Sequence, residues 1–382
     1  MIDDFLIFGK PQIGDAEIDE VVDSLKQGWL GTGPKVKQFE RHFRSYKNTK
    51  NAVALNSCTA ALHLSLMSLH LEKGDEVITT PMTFCSTINA IIHAGAKPVL
   101  ADIDSSSMNI HPERIEEKIT AKTKCILPVH FAGRACDMDQ IMAIAKSNNL
   151  HIIEDCAHAI ETTYHGKEAG TFGNFGCFSF YATKNLVTGE GGMVITDDEN
   201  SADRIKRLAL HGMSQDAWKR FSDEGYQHYL VEEAGFKYNM MDLQAAIGIH
   251  QLNRIEQNWL RRQEIWDIYT EELKSLPIRL PAPPEVNTKH AYHLYTIMID
   301  EKIAGLSRDD FLTRMYKAKI GTGVHYLSIP EHPYYQKTFG WKQEHYPNAT
   351  VIGRQTVSLP LSPGLTSIDV NRIVQTIKEI LS

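Results

Sequence analysis

The chain has 382 residues and a formal net charge of −7, with 42% hydrophobic and 23% charged residues. That length suits a large core split between two domains. The acidic balance, without a long basic run, argues against nucleic acid or an anionic membrane as partner.

Taken in order, apolar residues at helical spacing (Ile18, Val21, Val22, Leu25) predict a helix over 13–25. Gly28-Trp29-Leu30-Gly31-Thr32-Gly33-Pro34 breaks it, and a second helix is expected over 35–46. From Asn51 strands and helices alternate. Strands are predicted at 52–55, 76–79, 98–101, 125–129 and 152–155, and helices at 60–69, 84–94, 112–119 and 138–148. This rhythm implies an α/β fold with a mostly parallel sheet covered on both faces. Further strand signals at 178–181 and 193–195 precede a helix over 202–210 and a long one over 243–273. Leu280-Pro281-Ala282-Pro283-Pro284 reads as a linker, and the remainder of the chain as a smaller α+β domain: strand 292–299, helix 308–318, strand 321–325 and a closing helix 367–381.

The opening MIDDFLIFGKPQIGD lacks the basic region and apolar core of a signal peptide, and no apolar run approaches the roughly 20 residues of a membrane helix. Cys58, Cys85, Cys125, Cys136, Cys156 and Cys177 stand far apart with no C-x-x-C pair, as expected of reduced core thiols. A cytoplasmic protein is expected.

Ligands in open α/β sheets bind beyond the carboxyl ends of the strands. Lys184 follows the strand signal Phe178-Ser179-Phe180-Tyr181 and precedes the turn Gly189-Glu190-Gly191-Gly192. A partly desolvated lysine there has a lowered pKa and can attack a carbonyl, whereas the plain alternative is a surface lysine before a loop. Ser57-Cys58-Thr59-Ala60 opens a helix, where free N–H groups could hold a phosphate or the serine could simply cap. Phe84 is placed to cover a flat ligand or to fill the core. Asp155 is either an anion awaiting a cation or a helix N-cap. Ser179 could add a hydroxyl to the phosphate site. No G-x-G-x-x-G follows the first strand, and neither a P-loop nor a G-x-S-x-G elbow is present. His130, His151 and His158 lack metal-ligand spacing, so no metal is expected. A reactive lysine, a phosphate cup, a stacking ring and an acid together describe pyridoxal phosphate, which needs a Schiff-base lysine, a protonated pyridine nitrogen and a held phosphate.

At this constellation the sequence resembles the sugar aminotransferases of the DegT/DnrJ/EryC1/StrS family. The likeness runs through GWLGTGPKVKQFE, LNSCTAALHL, GDEVITTPMTF, IIEDCAHAIE, FSFYATKNLVTGEGG, GFKYNMMDLQAAIG and GTGVHY. The resemblance implies the fold-type I aspartate aminotransferase fold, with an N-terminal arm and large cofactor domain over 1–260 and a small domain over 261–382. It implies Lys184 as the Schiff-base lysine, Asp155 as pyridinium partner, Phe84 as stacking ring, Cys58, Thr59 and Ser179 around the phosphate, and His158 near the ring oxygen. Asn239 would reach over from a partner subunit, giving a homodimer with shared sites.

HGMSQDAWKR, GFKYNMMDLQAAIG and KIGTGVHY look most like enzymes making UDP-4-amino-4-deoxyarabinose and other UDP-4-amino sugars. Tyr181 departs from the histidine those enzymes tend to show, and Lys184 argues against the related dehydratases, which carry histidine there. The expected reaction moves an amine from L-glutamate to the 4-keto group of a nucleotide-linked sugar. The alternatives are a dTDP-linked 3-keto sugar, or a regulatory relative without turnover. An amino-acid aminotransferase of this fold usually clamps a carboxylate with a late arginine; here only Arg354 and Arg372 follow Arg314. His325 and Tyr326 suit sugar hydroxyls instead, and the loop with Trp29 and Thr32 suits a nucleotide and its phosphates. Tyr181 joins them as a substrate-side residue.

Overall fold

The computed structural model describes residues 5–214 and 229–382. Of the HGMSQDAWKR motif, residues 215–220 lie outside the described residues.

The alternation read from the sequence folds as a seven-stranded sheet. Its strands are β1 (Asn51–Leu55), β2 (Glu76–Thr79), β3 (Lys97–Leu100), β4 (Thr123–Leu127) and β5 (His151–Asp155), then β8 (Phe175–Ser179) and β9 (Gly192–Thr196). The two-residue strands β6 (Thr163–Tyr164) and β7 (Lys167–Glu168) form a hairpin outside it, extended by β10 (Thr288–Lys289). The order is β1-β9-β8-β5-β4-β2-β3. Pairing is parallel from β3 through β8, and β9 runs antiparallel to both β8 and β1. The carboxyl ends of six strands therefore share one edge with the amino end of β9. Every residue of β2 and β9 is buried, as sheets covered on both faces require.

Helix Asp15–Gln27 stops where Gly28 turns left-handed (φ 79°) and returns its N–H to the Leu25 carbonyl, a terminus that glycine adopts without a Cβ penalty. The long helix expected over 243–273 is two helices, Asp242–Asn253 and Ile255–Leu273, parted at Arg254 (φ −110°, ψ 12°). The halves serve different cores. The first buries Ala245, Ile249 and Leu252 against Phe39, Phe43 and Phe180, whereas the second buries Ile265, Trp266 and Tyr269 against Tyr295, Phe311 and Ile373. A third cluster, from Met82 and Phe131 to Leu294, Ile329 and Ile352, joins the sheet region to the C-terminal region.

The C-terminal region differs from the sequence reading. Segment 321–325 forms no strand. Gly321 donates to the Leu6 carbonyl (2.8 Å) and Gly323 makes a single bridge to Ser358. The partner of β11 (Tyr295–Met298) is instead β12 (Thr356–Leu359), an antiparallel pair. Helices Pro333–Phe339 and Pro347–Gln355 were not expected; a proline in the first turn starts each, where a missing N–H costs nothing. The expected linker is pinned. Arg134, 4% exposed, donates to the Ala282 and Pro283 carbonyls and pairs with Glu285. The six cysteines are free, five of them buried. Among the described residues no helix is long and apolar enough to cross a membrane.

Candidate active site

The shared sheet edge opens into a cleft of about 540 Å³ lined by Ser57, Cys58, Thr59, Phe84, Asp155, His158, Ser179, Tyr181, Lys184, His325 and Tyr326. Each of these was singled out from the sequence, and separate strand ends and loops deliver them.

Beyond β1, Ser57 caps helix Cys58–Ser68 by accepting from the Ala60 N–H (3.1 Å). The serine of this motif is thus a cap, while Cys58 and Thr59 present the first-turn N–H groups to the cleft, the end of a helix that favours anions. β9 enters beside them through Gly192, where a Cβ would lie 2.4–2.5 Å from the backbone of Ser57 and Cys58. Only glycine permits that approach.

Beyond β2, Phe84 is 57% exposed, so its ring is not core. It stands 6.0 Å from the Tyr326 ring. Asp155 ends β5, 4% exposed. No helix begins there. One carboxylate oxygen accepts from the Ala157 N–H (3.1 Å) and the other from the Thr87 hydroxyl (2.9 Å). Burial raises its pKa, and those two donors with the nearby Lys184 amine work against that rise.

Lys184 sits in the turn after β8, its N–H on the Tyr181 carbonyl (2.8 Å). Desolvation lowers its pKa to about 8, which makes the free amine far more available near neutral pH than that of an ordinary lysine. The next residue, Asn185, is 5% exposed. Its amide donates to both oxygens of Glu161 (3.0 and 2.9 Å) and to the Ala291 carbonyl (2.8 Å), and its oxygen bonds His293 Nδ1 (2.9 Å). Burial pushes Glu161 up to about 7 despite Arg262 beside it. None of Asn185, Glu161 and His293 was singled out from the sequence, although Asn185 adjoins the lysine.

The Ala132 N–H donates to His158 Nδ1 (3.2 Å), so the ring proton is on Nε2, which faces the Tyr326 hydroxyl (3.1 Å). Burial and the Lys184 charge hold His158 and His325 neutral, His325 at about 3. His130, Glu154 and Cys156 come within 4.8 Å of one another, a buried group the sequence did not suggest. Glu154 accepts from three backbone N–H groups, of Gly170, Phe172 and Gly173, and bonds His130 Nε2, which makes it a clamp on that loop.

Trp29, Thr32 and Asn239 do not line this cleft. They meet elsewhere: Asn239 Nδ2 donates to the Thr32 hydroxyl (2.7 Å), which donates to the Met240 carbonyl (2.6 Å). The N–H groups of Gly33, Lys35 and Val36 all go to the buried Asp242 carboxylate, so these are not free for phosphates. Trp29 is 50% exposed.

Residues 11–378 match the model of the DegT/DnrJ/EryC1/StrS aminotransferase family. The chain is 48% identical over 378 residues to the spore coat polysaccharide biosynthesis protein SpsC of Bacillus subtilis, covering 99% of this chain and 97% of that one. Among solved structures it is similar to a Streptococcus pneumoniae protein described as a sugar aminotransferase, in its PLP form. The TM-score is 0.91 at 34% identity, over 98% of both chains. It is also similar to Helicobacter pylori PseC, an aminotransferase of pseudoaminic acid biosynthesis, with TM-score 0.91 at 27% identity over 99% of both chains.

Proposed function

Because the chain belongs to the DegT/DnrJ/EryC1/StrS aminotransferase family, we propose that it moves an amino group from L-glutamate to the 4-keto carbon of a UDP-linked keto-sugar, for surface polysaccharide or glycan biosynthesis. It is a pyridoxal-phosphate-dependent enzyme of fold type I.

The residues present fit that cofactor. Asp155 is an acceptor-only group facing the cleft, the first turn of helix Cys58–Ser68 offers N–H groups beside Ser179, and Lys184 has a lowered pKa. When bound, pyridoxal phosphate supplies an electron sink for the carbon that loses its proton. Asp155 would hold the proton on the ring nitrogen. The backbone of Cys58 and Thr59 with the Ser179 hydroxyl would hold the phosphate, and Phe84 would lie against the ring. Lys184 Nζ would serve as the proton carrier, work suited to an amine whose pKa is about 8. His158, whose Nε2 proton faces the Tyr326 hydroxyl, would stand near the ring oxygen.

The observation that carries the substrate reading is the character of the substrate side. Among the described residues no arginine lines the cleft. Arg354 is paired with Glu331 (2.7 Å), and Arg372 donates to the Ala318 carbonyl (2.8 Å). His325, held neutral by burial, stands there with Tyr326 and Tyr181, groups that exchange hydrogen bonds with sugar hydroxyls. The choice of carbon 4 and of UDP rests on the resemblance of KIGTGVHY and GFKYNMMDLQAAIG. The test runs the reaction backwards with 2-oxoglutarate and a panel of UDP- and dTDP-linked 3-amino and 4-amino sugars, following glutamate by mass. Turnover confined to 3-amino sugars, or to free amino acids, overturns the assignment.

The dimer belongs to the same proposal. Ile18, Val22 and Leu25 lie on one face of helix Asp15–Gln27 at 52%, 38% and 54% exposure, an apolar stripe continued by Trp29. A second copy of the chain covering that stripe would bring Trp29, Thr32 and Asn239 to its partner's cleft.

A further inference from the structure

Thr87 lies in helix Cys85–His93 with none of its surface exposed, and a buried threonine in a helix ordinarily returns its hydroxyl to the carbonyl four residues back. Here the hydroxyl does something else. It reaches the hydroxyl of Thr83, four residues back, at 2.7 Å, and a carboxylate oxygen of Asp155 at 2.9 Å. An ionised carboxylate only accepts, so the single Thr87 proton goes to Asp155. The Thr83 proton must then go to Thr87. Both directions are fixed by the carboxylate, and chains of this polarity strengthen one another in a dry interior. Thr83 is 2% exposed and also lines the cleft, so what it offers a ligand there is a lone pair.

We propose that Thr87, backed by Thr83, is a positioning residue for Asp155: the two hydroxyls keep the carboxylate ionised and oriented to hold the ring-nitrogen proton of the cofactor. This rests on the reading of Asp155 under the proposed function. The relay replaces what solvent would otherwise supply, because among the described residues only one further donor, the Ala157 N–H, reaches the carboxylate. Among the described residues, the titratable groups around it are Lys184, His130, Cys58, Cys136, Cys156, Cys177 and Tyr326. A Thr87→Val exchange touches none of them and keeps the side-chain shape.

The experiment reconstitutes the enzyme with pyridoxal phosphate carrying ¹⁵N in its ring and reads the nitrogen shift, which separates protonated from unprotonated rings without turnover. Wild type is expected to be protonated at pH 7.5, Asp155→Asn unprotonated, Thr87→Val unprotonated in at least half of the molecules, and Thr87→Ser restored to wild type. A Thr87→Val ring as protonated as wild type, beside an unprotonated Asp155→Asn, overturns the relay and leaves the Asp155 reading standing. So does a Thr87→Ser that fails to restore the shift. An unprotonated wild-type ring, or an Asp155→Asn ring that keeps its proton, overturns the Asp155 reading itself. Should Thr87→Val lose its native circular dichroism, Thr83→Val decides: an intermediate shift supports the relay and a wild-type shift rejects it.

Discussion

Gly192 and Ser57 touch backbone to backbone: a Cβ on Gly192 would stand 2.4 Å from the Ser57 carbonyl carbon. The amino end of β9 and the helix cap after β1, far apart in sequence, thus close the floor of the cleft through one missing methyl group. Neither neighbour is a flexible side chain that could step aside. Gly192→Ala is expected to push the helix start away from the phosphate and weaken cofactor binding. Overpacking of this kind costs about 1–3 kcal/mol, or roughly 5- to 150-fold in the dissociation constant. Fluorescence titration of the cofactor-free protein checks this, and an unchanged constant would show that the site tolerates a methyl group there.

Lys184 should leave a signature in stability as well as in activity. Its pKa of about 8 in the folded protein lies below the 10.5 of the free side chain. The folded cofactor-free protein therefore binds fewer protons than the unfolded chain between those values, and stability rises with pH there. Below pH 8 the whole penalty applies. At 1.36 kcal/mol per unit, trimmed by solvent in the open cleft, it is about 1–3 kcal/mol. Without cofactor, Lys184→Met should be more stable than wild type at pH 7, and the gap should close towards pH 10.5. Urea unfolding at both pH values measures it. Borohydride reduction of the loaded enzyme should place the pyridoxyl group on Lys184, and recovery on Lys237 would show the assignment wrong.

Asp155→Asn removes the charge proposed to face the ring nitrogen. Breaking a buried ion pair costs about 3–5 kcal/mol, and each 1.36 kcal/mol is tenfold in rate. If half or more of that falls on the transition state, turnover drops roughly 10- to 1000-fold or more. A variant as active as wild type rules the role out.

Asn185 serves Glu161, Ala291 and His293 at once, with Arg262 held nearby. Asn185→Ala leaves a buried carboxylate and a buried imidazole short of partners, at about 3–5 kcal/mol. A loss of unfolding free energy below about 1 kcal/mol, obtained from the urea midpoint multiplied by the m-value, would mean the network is slack.

Mixing Lys184→Ala subunits with Asn239→Ala subunits should restore some activity, because one hybrid site in each mixed dimer carries both residues. Absence of recovery after subunit exchange has been verified by mass would count against shared sites.

The sheet was legible because its strands are short, apolar and bounded by turn residues, and Lys184 and Asp155 stood out because one follows and the other ends such a strand. What stayed hidden depends on contacts between distant residues. The Gly28–Pro34 loop reads as a phosphate cradle until Asp242, more than 200 residues later, takes three of the N–H groups at its end. Thr87 reads as a helical hydroxyl until Asp155 is folded against it. Segment 321–325 has a strand-like pattern, but its two glycines spend their N–H groups on separate partners, Leu6 and Ser358, so no ladder forms. The break at Arg254 is local, yet no glycine or proline marks it.

The direction of β9 has a consequence for how the protein matures. β1 is the first of the strands to leave the ribosome, yet the strand it pairs with in the sheet is β9, made well over a hundred residues later. Until then the amino-terminal segment has an unpaired edge, and the start of helix Cys58–Ser68 has no wall beside it. The pair β8–β9, by contrast, is a local antiparallel unit that brings Lys184 into place within its own loop. The Lys184 turn and the wall beside the start of helix Cys58–Ser68 are therefore both completed by the same strand, β9, the last of the sheet to be made.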